Sequence, residues 1–152
     1  MLEKIKEQGG VLGIITFKVF DAKTGKLKRV YKKKNTIQLA GRNVIARRLA
    51  NETTYTGIIN YCVLFSGSPA TELFRKTCFS NTYDDDDARA LLSFVFGKDE
   101  AVGTFTKLQT VIDGTAGVGT GQVWTEVILS PGFVKTNLET ATLEVEYQVL
   151  PA

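Results

Sequence analysis

Histidine is absent from all 152 residues. That removes the usual general base, every Ser-His-Asp or Cys-His arrangement and imidazole metal ligation. Cysteine is scarce as well: Cys62 and Cys78 are the only two, too few to complete a four-ligand structural zinc site without histidine. Each stands in an apolar, strand-like stretch where a thiol serves as a small hydrophobe, and the sequence allows a disulfide without asking for one. No apolar run is long enough to span a membrane. The N-terminal MLEKIKEQGG carries charges with no apolar core behind them, so it does not read as a secretory signal, and synthesis and folding in a cytoplasm are expected. Three prolines and no internal repeat leave no spacer to divide the chain. With 43% hydrophobic and 23% charged residues, it should form one core rather than remain disordered.

What is present is mostly strand pattern. Residues 1–10 read as a flexible charged arm, and 11–152 as a single β-rich domain. From Val11 to Phe20, Ile15, Phe17 and Val19 alternate with Thr16 and Lys18. Asp21–Gly25 reads as a hairpin loop in which Asp bonds its own backbone and Gly supplies a positive φ. A basic strand, 26–34, follows. The period then changes: Ile37, Ala40, Val44, Ile45 and Leu49 share one side of a 3.6-residue wheel, which predicts the main helix over about 37–50, with Asn35 or Thr36 as N-cap. Strands are expected again at 58–65, 74–80, 88–96, 103–111, 122–129 and 142–149. Ile58–Phe65 should be central and covered on both faces. In the last strand Leu143, Val145, Tyr147 and Val149 should face in. The expected fold is mainly β, an antiparallel sandwich or jelly-roll-like barrel with one α-helix.

Charge is unevenly distributed. Residues 1–50 hold thirteen Lys/Arg against three acidic residues, whereas 51–152 hold six against thirteen. Fields of opposite sign on one domain favour contact with a charged partner, another copy included. The candidate interface residues are Lys26, Lys28, Arg29, Lys32, Lys33 and Lys34 on the basic side. On the acidic side they are Asp84, Asp85, Asp86 and Asp87. The acidic run is too contiguous to aim four carboxylates at one cation and lacks EF-hand spacing, so a solvated turn is expected. Gly117–Gly121 lacks the Lys-Ser/Thr pair and the helix of a phosphate loop, and reads as a flexible hairpin tip. Tyr31 within the basic strand could stack on a base, but no nucleic-acid motif surrounds it. Glu72, Asp99, Glu100 and Asp113 are expected in turns, not in the contrasting buried sites that an acid and a base require. No catalytic residue, metal site or cofactor is assigned, and the chain is expected not to be an enzyme.

The order of the segments carries a resemblance. A hairpin FKVFDAKTGKLKRVYKKKN, a helix IQLAGRNVIARRLAN and a strand IINYCVLFSGS come first. They are followed by a strand with Arg89 and Phe94, then KDEAVGTFTKLQTVIDGT and VKTNLETATLEVEYQVL. Together, over about residues 14–150, they resemble small β-rich structural proteins of tailed bacteriophages. In that family the strand after the helix ends in a Gly-Thr-Gly-like turn and a Leu-x-x-Glu-x-x-Arg-like segment; here Ser66-Gly67-Ser68 and Glu72–Arg75 stand in those places. The resemblance implies a non-enzymatic virion component in a capsid-decoration, neck, tail or fibre-attachment role.

The leading expectation is a capsid decoration protein. It would be a homo-oligomer, in the form of a trimer, clamping the major capsid protein, with residues 1–10 and the basic strand on the shell or a neighbour. A neck, tail-tip or fibre-anchoring role is the alternative. More distant readings are a nucleic-acid module built on residues 26–34 and 42–48, and a sugar platform using Trp124 and Tyr55, although Trp124 in a strand more often belongs to the core.

Overall fold

The structure, a computed structural model, describes residues 10–150. The expected arm lies outside the described residues except for Gly10, which already pairs with Leu150 and opens the first strand.

Alternation of apolar and polar residues builds most of the sheet. Strand β1 (Gly10–Asp21) turns Ile15, Phe17 and Val19 completely inward. The loop after it forms as expected: Asp21 Oδ1 accepts the Lys23 and Thr24 amides at 2.9 and 2.8 Å, and Gly25 has φ +72°. Strand β2 (Leu27–Ile37) runs three residues further than predicted and takes in Asn35 and Thr36, so neither caps the helix. The helix α1 (Leu39–Leu49) starts after Gln38, which supplies no side-chain cap.

Strands β3 (Ile59–Ser66), β4 (Thr71–Thr77), β5 (Ser80–Asp84) and β6 (Arg89–Phe96) follow. The single strand predicted at 74–80 is thus the end of β4 and the start of β5. The cysteines within and beside them, Cys62 and Cys78, are both free thiols. Strands β7 (Gly103–Ile112), β8 (Gln122–Lys135) and β9 (Glu139–Leu150) complete the chain. In β9, Leu143, Val145 and Tyr147 are buried as the alternation predicts, but Val149 is mostly exposed because it lies where the sheet ends.

All nine strands form one curled antiparallel sheet in the order β4-β3-β7-β8-β2-β1-β9-β6-β5. It folds over one core, in which Phe17 stacks on Phe133 at 4.0 Å between centroids. The fold line is the β2–β8 junction, where backbone pairing is limited to Thr36↔Glu126 and Ile37↔Thr125. Beyond it the join is made by side chains. Tyr31 Oη donates to the Pro131 carbonyl at 2.6 Å, Lys33 Nζ to the Ser130 carbonyl at 2.7 Å, and Arg29 to the Val134 carbonyl. The Ser130 and Pro131 carbonyls lie in the stretch where β8 breaks register with β7, between Ile128 and Phe133, around a proline that has no amide to give the ladder. Among the described residues no helix is long and apolar enough to cross a membrane.

Candidate functional site

Register decides what the basic strand can do. Arg29, Tyr31, Lys33 and Asn35 pair with Val19, Phe17, Ile15 and Gly13, so they share the inward face. Arg29 gives both terminal nitrogens to Glu139, at 2.6 and 3.1 Å, and Lys28 Nζ reaches the same carboxylate at 2.8 Å. Tyr31 packs edge-on to Phe17 and Phe133. Of the six basic candidates, Lys28, Arg29 and Lys33 are therefore engaged within the chain, and Tyr31 is not disposed to stack on a base. Lys26, Lys32 and Lys34 form no ion pair among the described residues.

The acidic candidates form the β5–β6 turn. Arg89, the first residue of β6, binds Asp84 at 2.9 Å, Asp87 at 3.3 Å and Glu146 at 2.8 Å. Its guanidinium holds the Asp84 carboxyl below the ordinary range. Asp85 and Asp86 carry no ion pair among the described residues. The structure does not bring the lysines and the aspartates together. It places them at opposite edges of the layer β2-β1-β9-β6-β5, four strand spacings apart, about 19 Å at ~4.8 Å each.

Several charged groups escaped the sequence reading. Glu139 is only 2% exposed; the Arg29 guanidinium bonded to it holds its carboxyl far below the ordinary value of 4.5. Glu72 lies in β4, not in a turn, and forms a buried pair with Arg75 at 2.8 Å. This pair fastens the glycine-rich tip, which is therefore anchored rather than flexible. Arg75 Nη1 donates to the Thr115 carbonyl at 2.7 Å and to Thr120 Oγ1 at 2.9 Å, and the Gly119 amide donates to Glu72 at 3.1 Å. The resemblance had drawn attention to Glu72 and Arg75, but nothing local indicated that they hold residues forty positions away.

At one end of the curled sheet the strand termini leave an apolar cup of about 590 Å³. Its wall includes Ile45, Ile59, Ile112, Trp124, Tyr147 and Val149, and Asp84, Asp85 and Arg89 stand at its rim. A bulge shapes it: Val123 and Thr125 pair with the consecutive residues Val111 and Thr110, so Trp124 is the extra residue. A bulge of this kind re-aims a side chain, here the single tryptophan of the chain. Trp124 is 7% exposed and meets Tyr147 edge-on at 5.9 Å, so it is a core residue and offers no sugar platform. Below the cup, Tyr147 Oη, Thr110 Oγ1, Thr125 Oγ1 and Asn35 Nδ2 form a buried polar network with separations of 2.5 to 3.0 Å. Burial pushes the Tyr147 phenol well up, so it stays protonated. Two buried donors at the cup, Trp124 Nε1 and Arg89 Nε, have no acceptor among the described residues.

No family model, curated relative or solved structure matches this chain.

Proposed function

We propose that the protein is a non-enzymatic assembly component that binds copies of itself, and a larger shell, through its charged edges. One observation carries the reading. The lysines and aspartates that carry no ion pair among the described residues lie at opposite edges of a single five-stranded layer. A basic edge cannot satisfy itself against an acidic edge about 19 Å away, but it can do so against the acidic edge of the next copy. Such head-to-tail contacts are heterologous and close into a ring when the rotation permits, a trimer in the simplest case. The resemblance to small structural proteins of tailed bacteriophages supports a virion setting, as a capsid decoration protein clamping the major capsid protein.

Two measurements test this. In sedimentation, Lys32→Glu/Lys34→Glu should be monomeric and Asp85→Lys/Asp86→Lys should be too, while an equimolar mixture of the two should associate. A parent that is monomeric at low salt, or variants that associate as well as the parent, would overturn the self-assembly reading. In a reconstruction of purified particles the chain should cover the head in many copies; density confined to the neck or tail would overturn the decoration role.

A further inference from the structure

We infer, resting on the assembly reading above, that the copies join by main-chain pairing. Strand β5 of one copy lies beside β2 of the next as a parallel neighbour, so that their five-stranded layers continue as one sheet. The first observation is an open edge. Strand β5 ends the sheet and, among the described residues, pairs on one side only. Its pairing with β6 runs without a register shift, and Ser80-Asn81-Thr82-Tyr83 contains neither a charge nor a proline. Edge strands with free amides and carbonyls recruit other strands, and proteins block them with charges, prolines or bulges. Strand β4, at the other end of the sheet, is blocked: Glu72, Arg75 and Lys76 are charged, and Leu73 is an extra residue, because Leu64 and Phe65 pair with Phe74 and Glu72. Strand β5 has no such device before Asp84, and Phe79 and Tyr83 beside and within it are largely exposed.

The second observation is a receiving edge of fitting charge. Between Leu27 and Asn35, β2 pairs with β1 alone. Its bonds to β8 over that stretch come from the side chains of Arg29, Tyr31 and Lys33, so its outer main-chain groups have no ladder partner among the described residues. Lys32 and Lys34 guard this edge against a neutral strand, and a strand that ends in aspartates answers them.

The third is direction and level. Four antiparallel pairings separate β2 from β5, so the two edges run the same way. Followed across the layer, Lys34 is level with Ile14, Glu146, Leu91 and Thr82, and Lys32 with Thr16, Glu144, Ser93 and Ser80. A copy rotated about an axis along the strands therefore sets its β2 parallel to β5. A slide of two residues, about 7 Å, keeps each side chain on its face and brings Lys34 level with Asp84, next to Asp85. Repeating that rotation closes a ring in which the sheet is continuous.

Hydrogen exchange read by mass spectrometry tests the pairing. Amides of Ser80–Asp84 should exchange about tenfold slower in the associated parent than in monomeric Lys32→Glu/Lys34→Glu. Amides of Leu27–Lys34 should show the same slowing relative to monomeric Asp85→Lys/Asp86→Lys, so neither compared segment is itself altered. Asn81→Pro and Thr82→Pro remove amides on opposite sides of β5, and one of them takes away the group that faces the neighbour. That variant should be monomeric with the far-ultraviolet spectrum of the parent. A parent that associates while both segments exchange as in the monomers would overturn the main-chain pairing and leave the assembly reading standing. Proline variants that both associate as the parent does would overturn it as well. So would slowing confined to Ser80–Asp84, which would assign the contact to two β5 strands. A parent that is monomeric at low salt would remove the assembly reading, and this inference with it.

Discussion

Glu139 shows how much one side chain can organise without announcing itself. Read locally, Thr136-Asn137-Leu138-Glu139 is an ordinary polar turn before a strand, and Lys28 and Arg29 are two more charges on a basic strand. Only the β1–β9 and β1–β2 pairings bring residues 110 positions apart into contact. The carboxylate takes hydrogen bonds from Arg29 and from the Thr136 amide, plus the ion pair with Lys28. Glu139→Gln keeps the shape and one acceptor but removes the charge. It should lower stability by about 1–3 kcal/mol, since the remaining cations are partly solvated and recover some hydration. The pH dependence follows in sign. Folding holds this carboxyl below its ordinary 4.5, so its contribution is complete above that value and is lost as pH falls towards the lowered folded value. The parent should therefore lose stability more steeply than the glutamine variant on acidification below 4.5. Denaturant titrations of both proteins down that range check the prediction, and parallel pH profiles would contradict it.

At the scale of elements, alternation was legible wherever one face of a strand is buried and the other wet. Ile15, Phe17 and Val19 in β1, and Leu143, Val145 and Tyr147 in β9, follow it, and Val149 at the end of β9 is the exception. The helix was located and its contact face in part. Counting apolar positions selected Ile37, Ala40, Val44, Ile45 and Leu49; Val44 is buried against the sheet as expected, but Leu49 is 84% exposed, and the other buried residue is Gly41. At Gly41 smallness, not hydrophobicity, sets the contact: an added Cβ would stand 2.6 Å from both Cε3 and the carbonyl oxygen of Trp124. The Gln38 amide also donates to that carbonyl at 2.9 Å, so the backbone there is held at both ends of the contact. Gly41→Ala sets two effects against each other. Alanine favours a helix interior by roughly 0.5–1 kcal/mol. Overpacking against a backbone atom that cannot yield costs about 1–3 kcal/mol. The second should win, so we expect a lower melting temperature, faster amide exchange along α1 and a shifted Trp124 emission. A Gly41→Ala protein as stable as the parent would show that α1 is not seated on this strand.

The whole molecule separates two kinds of charge that a residue count merges. The Glu72–Arg75 pair and the Glu139 carboxylate are buried and serve the fold, one holding the glycine-rich tip and the other, through the partly exposed Lys28 and Arg29, stitching β2 to β9. Lys26, Lys32, Lys34, Asp85 and Asp86 are exposed and carry no ion pair among the described residues. The sequence displayed the polarity of the chain but not this division, because pairing depends on strand order: β2 and β5 become the two edges of one layer only after β9 and β6 are inserted between β1 and β5. Salt should tell the two kinds apart. At 0.1 M the screening length is about 10 Å, and near 1 M it is about 3 Å, so exposed contacts between copies weaken over this range while desolvated pairs are little affected. The midpoint for unfolding of the monomer should thus move little between these concentrations. Over the same range the apparent association constant should fall steeply, because each contact sets the lysines of one edge against the aspartates of another. Sedimentation and thermal melts on the same samples would measure both. An association that strengthens with salt would mean that the exposed apolar residues near the edges, such as Phe79 and Tyr83 at 74% and 78% exposure, drive assembly in place of the charges.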